Sequence, residues 1–185
     1  MKPFTETHRG AIWTAADEMA SEHETGDFLH GLIRLLKPSL VLETGCYNGD
    51  TSRRIGEALE ANGRGELHTC DTDARRVENA MIRTHRLPVT VHCMAGIDLC
   101  RQFAEADMVF LDSSGDRVEE ARAVRLSPCG IVVLHDAKRP ALPAILEACP
   151  TWASVSIDSP RGVAILGKSL VGHPERTPQK RSTRQ

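Results

Sequence analysis

The chain predicts an α/β fold with a doubly wound, Rossmann-like, mostly parallel seven-stranded sheet and a C-terminal antiparallel hairpin, on three observations. Short apolar runs alternate with amphipathic stretches from about residue 26 onward, and parallel strands need a crossover helix between them. The first apolar run ends in a turn carrying Gly45 and Gly49. Glu43, Asp71, Asp112 and the pair His135–Asp136 all fall at strand ends, where open α/β sheets bind their ligands.

Composition sets the outer bounds. A length of 185 residues, 41% of them hydrophobic, suits a single globular domain with its own core. A net charge of −2 and a pI near 6.4 argue against a protein that works by coating nucleic acid, which needs a dominant basic face. No apolar run reaches the roughly 18 to 20 residues of a membrane span, and the first residues lack the apolar core of a signal peptide, so no membrane partner and a cytoplasmic location are expected. The six cysteines form no Cys-x-x-Cys pair and read as reduced, mostly buried thiols.

In chain order, residues 11–20 form a short apolar-faced helix, with Ile12, Trp13 and Met19 as contacts, placed to cover the cofactor edge or one flank of the sheet. Residues 26–36 carry Phe28, Leu29, Leu32, Ile33, Leu35 and Leu36 at helical spacing, with Asp27 as cap and Pro38 past the end. The first strand, 39–43, enters the glycine turn, and the helix 51–61 follows, capped by Asp50 or Thr51 and stopped by Asn62-Gly-Arg-Gly65. The second strand, 67–70, ends at Asp71. A helix over 75–84, with Val77, Met81 and Ile82 inward, leads to the third strand, 89–93, and a short helix over 97–103. The fourth strand, 107–112, ends in Asp112. A helix over 117–125 and a turn at Pro128–Gly130 precede the fifth strand, 131–134, and His135–Asp136. Pro140 and Pro143 fit only the first turn of the helix 141–149, and the strands 154–158 and 163–166 close a hairpin. The chain thus divides into a cap segment, 1–25, a main domain, 26–168, and a basic tail, 169–185, expected to be disordered.

The glycine turn is the most informative stretch. Glycine tolerates positive φ and close approach of a ligand, and the start of the next helix leaves backbone N–H groups free for an anionic group. Asp71 follows Gly49 by about the 20 positions expected of a carboxylate that holds ribose hydroxyls. The glycine pattern is not Gly-x-Gly-x-x-Gly, which makes a nicotinamide-dependent oxidoreductase the weakest reading.

Together, Leu-Glu-x-Gly-x-Tyr-x-Gly at 42–49, the acidic end of strand two, Ala-Asp-Met-Val-Phe-Leu-Asp at 106–112 and the glycine-led strand ending at His135–Asp136 resemble the class I methyltransferases that use S-adenosylmethionine. Within that class they are similar to the small catechol-type O-methyltransferases and to relatives acting on sugars and antibiotic scaffolds, over residues 25–168. The resemblance implies that Gly45, Tyr47 and Thr51 border the methionine moiety, with Glu43 near its ammonium, that Asp71 holds the ribose, and that Thr72, Ala95 and Gly96 line the adenine. It also places Asp112 beside the cofactor and in the catalytic corner.

In metal-dependent members the ends of strands four and five hold a magnesium; here those positions are Asp112, His135 and Asp136. An imidazole among them would tilt the site toward manganese, iron or zinc, and metal use stays open. The lysine that catechol enzymes use as base is replaced by Gly115. His135 is then the candidate base, with Lys138 behind it and a purely orienting His135 as the alternative. The function implied is O-methylation of a small-molecule hydroxyl, with or without a divalent metal. The alternative is a catalytically silent methyltransferase-like binding or assembly module. The acceptor pocket would come from residues 1–25, the loop after Asp112, the loop 137–141 or a second subunit of a homo-oligomer.

Overall fold

The structure is a computed structural model, and it describes residues 2, 3, 13–103 and 105–168. In chain order the elements are β1 (Lys2–Pro3), β2 (Thr14–Ala15), α1 (His23–Leu36), β3 (Leu40–Thr44), α2 (Asp50–Asn62), β4 (Glu66–Asp71), α3 (Ala74–Arg83), β5 (Val89–Cys93), α4 (Gly96–Gln102), β6 (Ala106–Leu111), α5 (Arg117–Ala123), β7 (Leu126–His135), α6 (Ala141–Ala148), β8 (Ala153–Ile157) and β9 (Val163–Gly167). The seven-stranded sheet has the order β5-β4-β3-β6-β7-β9-β8, parallel from β5 to β7. β9 inserts between β7 and β8 and runs antiparallel to both, so the hairpin's second strand lies against β7 and its first forms the sheet's edge. The order reverses between β3 and β6, which opens a crevice at their carboxyl ends.

The central strands are buried on both faces, as continuous apolar runs in parallel sheets must be. Their alternation sorts side chains between two cores. Val41, Met108, Phe110 and Val133 pack with Leu29, Ile33, Ile55 and Leu59 of α1 and α2. Leu42, Val109, Leu111, Val132 and Leu134 pack on the other face with Leu99, Ala121 and Ile145 of α4, α5 and α6. Phe110 is fully buried, a contribution of roughly 1.5–3 kcal/mol. The same parity puts Glu43 and His135 on the α1–α2 face and Thr44 on the other.

Most elements lie where the residues predict them, and the differences have local causes. The helix expected over 11–20 is not found in its described part: Thr14–Ala15 pairs with Lys2–Pro3, and Ala16–Ala20 is a series of bends. There Asp17 Oδ1 accepts from the Met19 and Ala20 N–H groups, a local turn that competes with helix. α1 begins three residues early, with Glu22 rather than Asp27 at its cap, and buries Thr25, Gly26, Leu29 and Ile33, so Leu35 and Leu36 face outward. α2 is capped by Gly49 at φ 82° without a side-chain bond, not by Asp50 or Thr51. In α3 the inward stripe is Val77 and Ala80, and Met81 and Ile82 are exposed. β7 is longer than predicted, but Leu126 pairs with Ala106 and Ile131 with Met108, so the expected turn survives as a bulge at 127–130. Cys46, Cys70 and Cys100 are buried, whereas Cys93 and Cys129 are exposed. No helix among the described residues is long and apolar enough to cross a membrane. The tail 169–185 lies outside the described residues, as do positions 4–12 of the cap segment.

Candidate active site

The turn after β3 is built on three positive φ angles, at Gly45 (85°), Tyr47 (48°) and Gly49 (82°). The N–H groups of Gly45 and Cys46 both donate to the Cys70 carbonyl, at 3.0 and 2.8 Å, which ties the turn to the end of β4. A Cβ on Gly45 would stand 2.8 Å from the Asp112 carbonyl oxygen, so only glycine lets the ends of β3 and β6 come this close. Gly49 faces α3 in the same way, with a Cβ position 2.7 Å from Ala80 Cα.

A cavity of about 390 Å³ opens in the crevice. Gly45, Tyr47, Asp71, Thr72, Ala95, Gly96 and Asp112 all line it, so seven of the nine residues assigned to a cofactor from the sequence meet at one wall. Thr51 borders a smaller recess of about 40 Å³ that shares Gly45, Tyr47 and Asp112 with the larger one. Glu43 reaches neither. It is fully buried, accepts from Thr69 Oγ1 at 2.6 Å and from Ser52 Oγ, and its Oε1 has no partner. Burial, opposed by those two bonds and reinforced by the Asp112 charge, pushes its carboxyl up to about 7. Glu43 therefore braces β3, β4 and α2 beneath the turn.

Asp71 carries the cavity's far end. Its carboxylate accepts from the backbone N–H of Asp73 at 3.0 Å and of Tyr47 at 3.2 Å, and Arg76 lies 3.8 Å away. Those bonds fix one carboxylate against two loops. Tyr47 closes the mouth: its hydroxyl donates to Asp17 at 2.9 Å and its ring lies under the Arg76 guanidinium, 4.9 Å from centroid to carbon. Glu120 of α5, absent from the sequence-derived set, also lines the cavity and accepts from Ser113 Oγ at 2.6 Å and Thr44 Oγ1 at 2.9 Å. Burial raises its pKa, against those bonds.

The corner beyond Asp112 differs from the expectation. His135 is fully buried, with Nδ1 2.8 Å from Asp112 Oδ1 and Nε2 2.6 Å from Glu22 Oε2. Burial works against its charge, but the Asp112 charge and the hydrogen bonds of both carboxylates outweigh it and carry the pKa up to about 9. Both ring nitrogens are thus engaged by carboxylates, which favours the charged form of the ring.

Asp112 accepts on its other oxygen from Ser21 Oγ at 2.6 Å. Asp136, in the left-handed region at φ 57°, is held by Arg161 through Nε and Nη2, the latter at 3.0 Å, with Arg117 Nη2 at 3.3 Å and Arg139 Nη1 at 3.5 Å. Arg117 also donates to the His135 carbonyl at 2.7 Å. Donor atoms of Asp112, His135 and Asp136 do fall within 4.8 Å of one another. Asp112 and Asp136 already accept from proton donors and both His135 nitrogens face carboxylates, so the residues present do not fit a divalent metal. Lys138 pairs with Asp158 at 2.7 Å, away from this corner.

Ser21, Glu22, Arg117 and Arg161 escaped the sequence reading because each stands in an unremarkable polar stretch. Only the hairpin sequence Ser-Pro-Arg-Gly at 159–162, with Gly162 at φ 82° against Lys138, hinted that Arg161 sits at a tight corner.

A family model described as a methyltransferase domain matches residues 42–137, which span the glycine turn through the end of β7. No curated protein matches the chain in sequence. Among solved structures it is similar to an SAH-bound methyltransferase of Podospora anserina, PaMTH1 (16% identity, 80% of each chain covered, TM-score 0.70). It is also similar to the O-methyltransferase TomG of Streptomyces achromogenes, solved with SAM and involved in tomaymycin synthesis (20% identity, 80% of this chain and 81% of that one, TM-score 0.63). An O-methyltransferase of Bacillus cereus in complex with SAH shares 14% identity over 81% of this chain and 83% of its own, with a TM-score of 0.66. These likenesses are of fold; the family match covers more than half of the sequence, and the chain belongs to the methyltransferase-domain family.

Proposed function

We propose that this protein binds S-adenosylmethionine in the cavity between the glycine turn and α4 and transfers its methyl group to a hydroxyl of a small-molecule acceptor. The observation that carries this reading is the convergence of Gly45, Tyr47, Asp71, Thr72, Ala95, Gly96 and Asp112 on one cavity, within a family whose members are methyltransferases. Solved neighbours of the same fold with SAM or SAH bound support it. Asp71 holds the ribose hydroxyls, and Tyr47 covers the methionine end. Thr72, Ala95, Gly96 and Ile97 supply the walls for the adenine.

The bound cofactor supplies a methyl group made electrophilic by the adjoining sulfonium. Asp112 is the carboxylate common to both cavities; where an acceptor hydroxyl displaces Ser21 Oγ from its second oxygen, that oxygen accepts the hydrogen bond and takes up the proton as the acceptor oxygen attacks. His135 acts through Asp112: its Nδ1–H aims the carboxylate and its charge steadies it. A carboxylate mouth also suits a cofactor carrying sulfonium and ammonium charges.

One observation favours a second reading. Ser21, Glu22 and Arg161 fill the space beside Asp112 where an acceptor would enter, which suits a cofactor-binding module without turnover. Incubation with S-adenosylmethionine and a panel of hydroxylated small molecules, with release of S-adenosylhomocysteine followed by mass spectrometry, separates the two. Acceptor-dependent release is expected. Tight cofactor binding with no release on any acceptor would favour the binding module.

A further inference from the structure

We propose that the guanidinium groups of Arg117 and Arg161 take the place of a divalent cation at the ends of β6 and β7, so that the Asp112–His135–Asp136 cluster is held and aimed without a metal. The cluster has the residue types of a metal site, yet its lone pairs are accounted for. Arg161 takes both oxygens of Asp136 in the parallel fork that a guanidinium makes with a carboxylate, and Arg117 adds a third contact at 3.3 Å. Asp112 is bonded by His135 on one oxygen and Ser21 on the other, and both nitrogens of His135 face carboxylates. A ligating imidazole must turn a ring nitrogen to the ion, and here both ring nitrogens are engaged by carboxylates, at 2.8 and 2.6 Å.

Charge balance points the same way. The carboxylates Glu22, Asp112 and Asp136 already face His135, Arg117 and Arg161, and the exposed Arg139 adds a further guanidinium 3.5 Å from Asp136. His135, Glu22 and Asp136 are all but inaccessible, and side chains of Arg117 and Arg161 are 11% and 17% exposed. A dication added here would meet guanidinium groups that already neutralise these carboxylates. Arg161 does one thing a metal would not: it donates to the Ala20 carbonyl at 3.1 Å, and its own N–H reaches Glu22 at 3.3 Å, tying the hairpin loop to the segment before α1. Arg161 is thus a positioning residue for Asp136, Glu22 and, through His135, Asp112.

The inference stands on this corner alone and does not require methyl transfer. Its test is a calorimetric titration of Mn²⁺ into the full chain after EDTA treatment, with S-adenosylhomocysteine titrated in parallel. No saturable Mn²⁺ binding is expected, and EDTA is expected to leave the nucleoside affinity unchanged. One equivalent of Mn²⁺ bound by the wild type and lost in Asp136→Asn overturns the proposal. Removing both cations, Arg117→Met with Arg161→Met, is expected to create a Mn²⁺ site that Asp136→Asn then abolishes. A folded double variant that binds none overturns the role given to the arginines. Should that variant lose its cooperative melt, the wild-type titration decides by itself. Absence of nucleoside binding would count against the proposed function and leave the Mn²⁺ result standing.

Discussion

Glu22 and His135 are 113 positions apart in the chain and 2.6 Å apart in space, Oε2 to Nε2, with neither side chain reaching solvent. The contact joins the cap of α1 to the end of β7, and it turns a histidine with the sequence signature of a base into a buried cation.

That contact makes stability depend on pH in a defined window. The His135 pKa stands at about 9 against an ordinary 6.5, so its stabilisation is complete below pH 6.5 and is lost as pH rises through 9. The amount is on the order of 3 kcal/mol. Thermal melts from pH 6 to 10 are expected to fall on the alkaline side for the wild type and to flatten in Glu22→Gln, which removes one of the two raising partners. Equal slopes for both proteins would contradict the assignment.

Glu43 has the opposite dependence. Burial keeps its carboxyl protonated up to about pH 7, so the folded state gains most at low pH and loses stability as pH climbs from the ordinary 4.5 to 7. Glu43→Gln has the same shape without the charge and is expected to be flat over that range and more stable than wild type at pH 8. Urea unfolding at pH 5 and pH 8 measures it; a variant weaker than wild type at pH 8 would refute a buried carboxylate under strain.

Two glycines with similar φ angles are expected to respond differently to alanine. Gly63, at φ 65° with nothing within 4 Å of a new Cβ, should lose only about 1 kcal/mol and keep its cofactor affinity. Gly45, at φ 85° and 2.8 Å from the Asp112 carbonyl, adds a backbone clash to that strain and should lose nucleoside binding at least tenfold, roughly 1.4 kcal/mol. Calorimetry with S-adenosylhomocysteine on both variants checks the contrast.

The sheet was legible in the sequence because its strands are buried on both faces and read as unbroken apolar runs between glycine and proline signals. The cavity wall was legible for a related reason: Gly45, Asp71, Gly96 and Asp112 each sit at a strand end or helix start that local pattern fixes. The corner was not. Glu22, Arg117 and Arg161 come from the cap of α1, the start of α5 and the β8–β9 loop, and nothing in their neighbourhoods announces a long-range partner. The resemblance suggested a metal at Asp112, His135 and Asp136, at the ends of two neighbouring strands; only the three-dimensional placement brings Arg117 and Arg161 against those carboxylates. The segment before α1 failed for a local reason, since Asp17 turns the backbone on itself where apolar spacing suggested a helix.

The most direct measurement is a titration of S-adenosylhomocysteine into the full chain beside Asp71→Ala. Asp71 is fixed by two backbone N–H groups at the wall of the cavity, and a charged hydrogen-bond acceptor of this kind contributes about 1.5–3 kcal/mol. Single-site binding by the wild type, weakened at least tenfold in a variant that still melts cooperatively, is the expected result. No heat from either S-adenosylhomocysteine or S-adenosylmethionine, or equal affinity in the two proteins, would contradict a nucleoside held by Asp71 in this cavity.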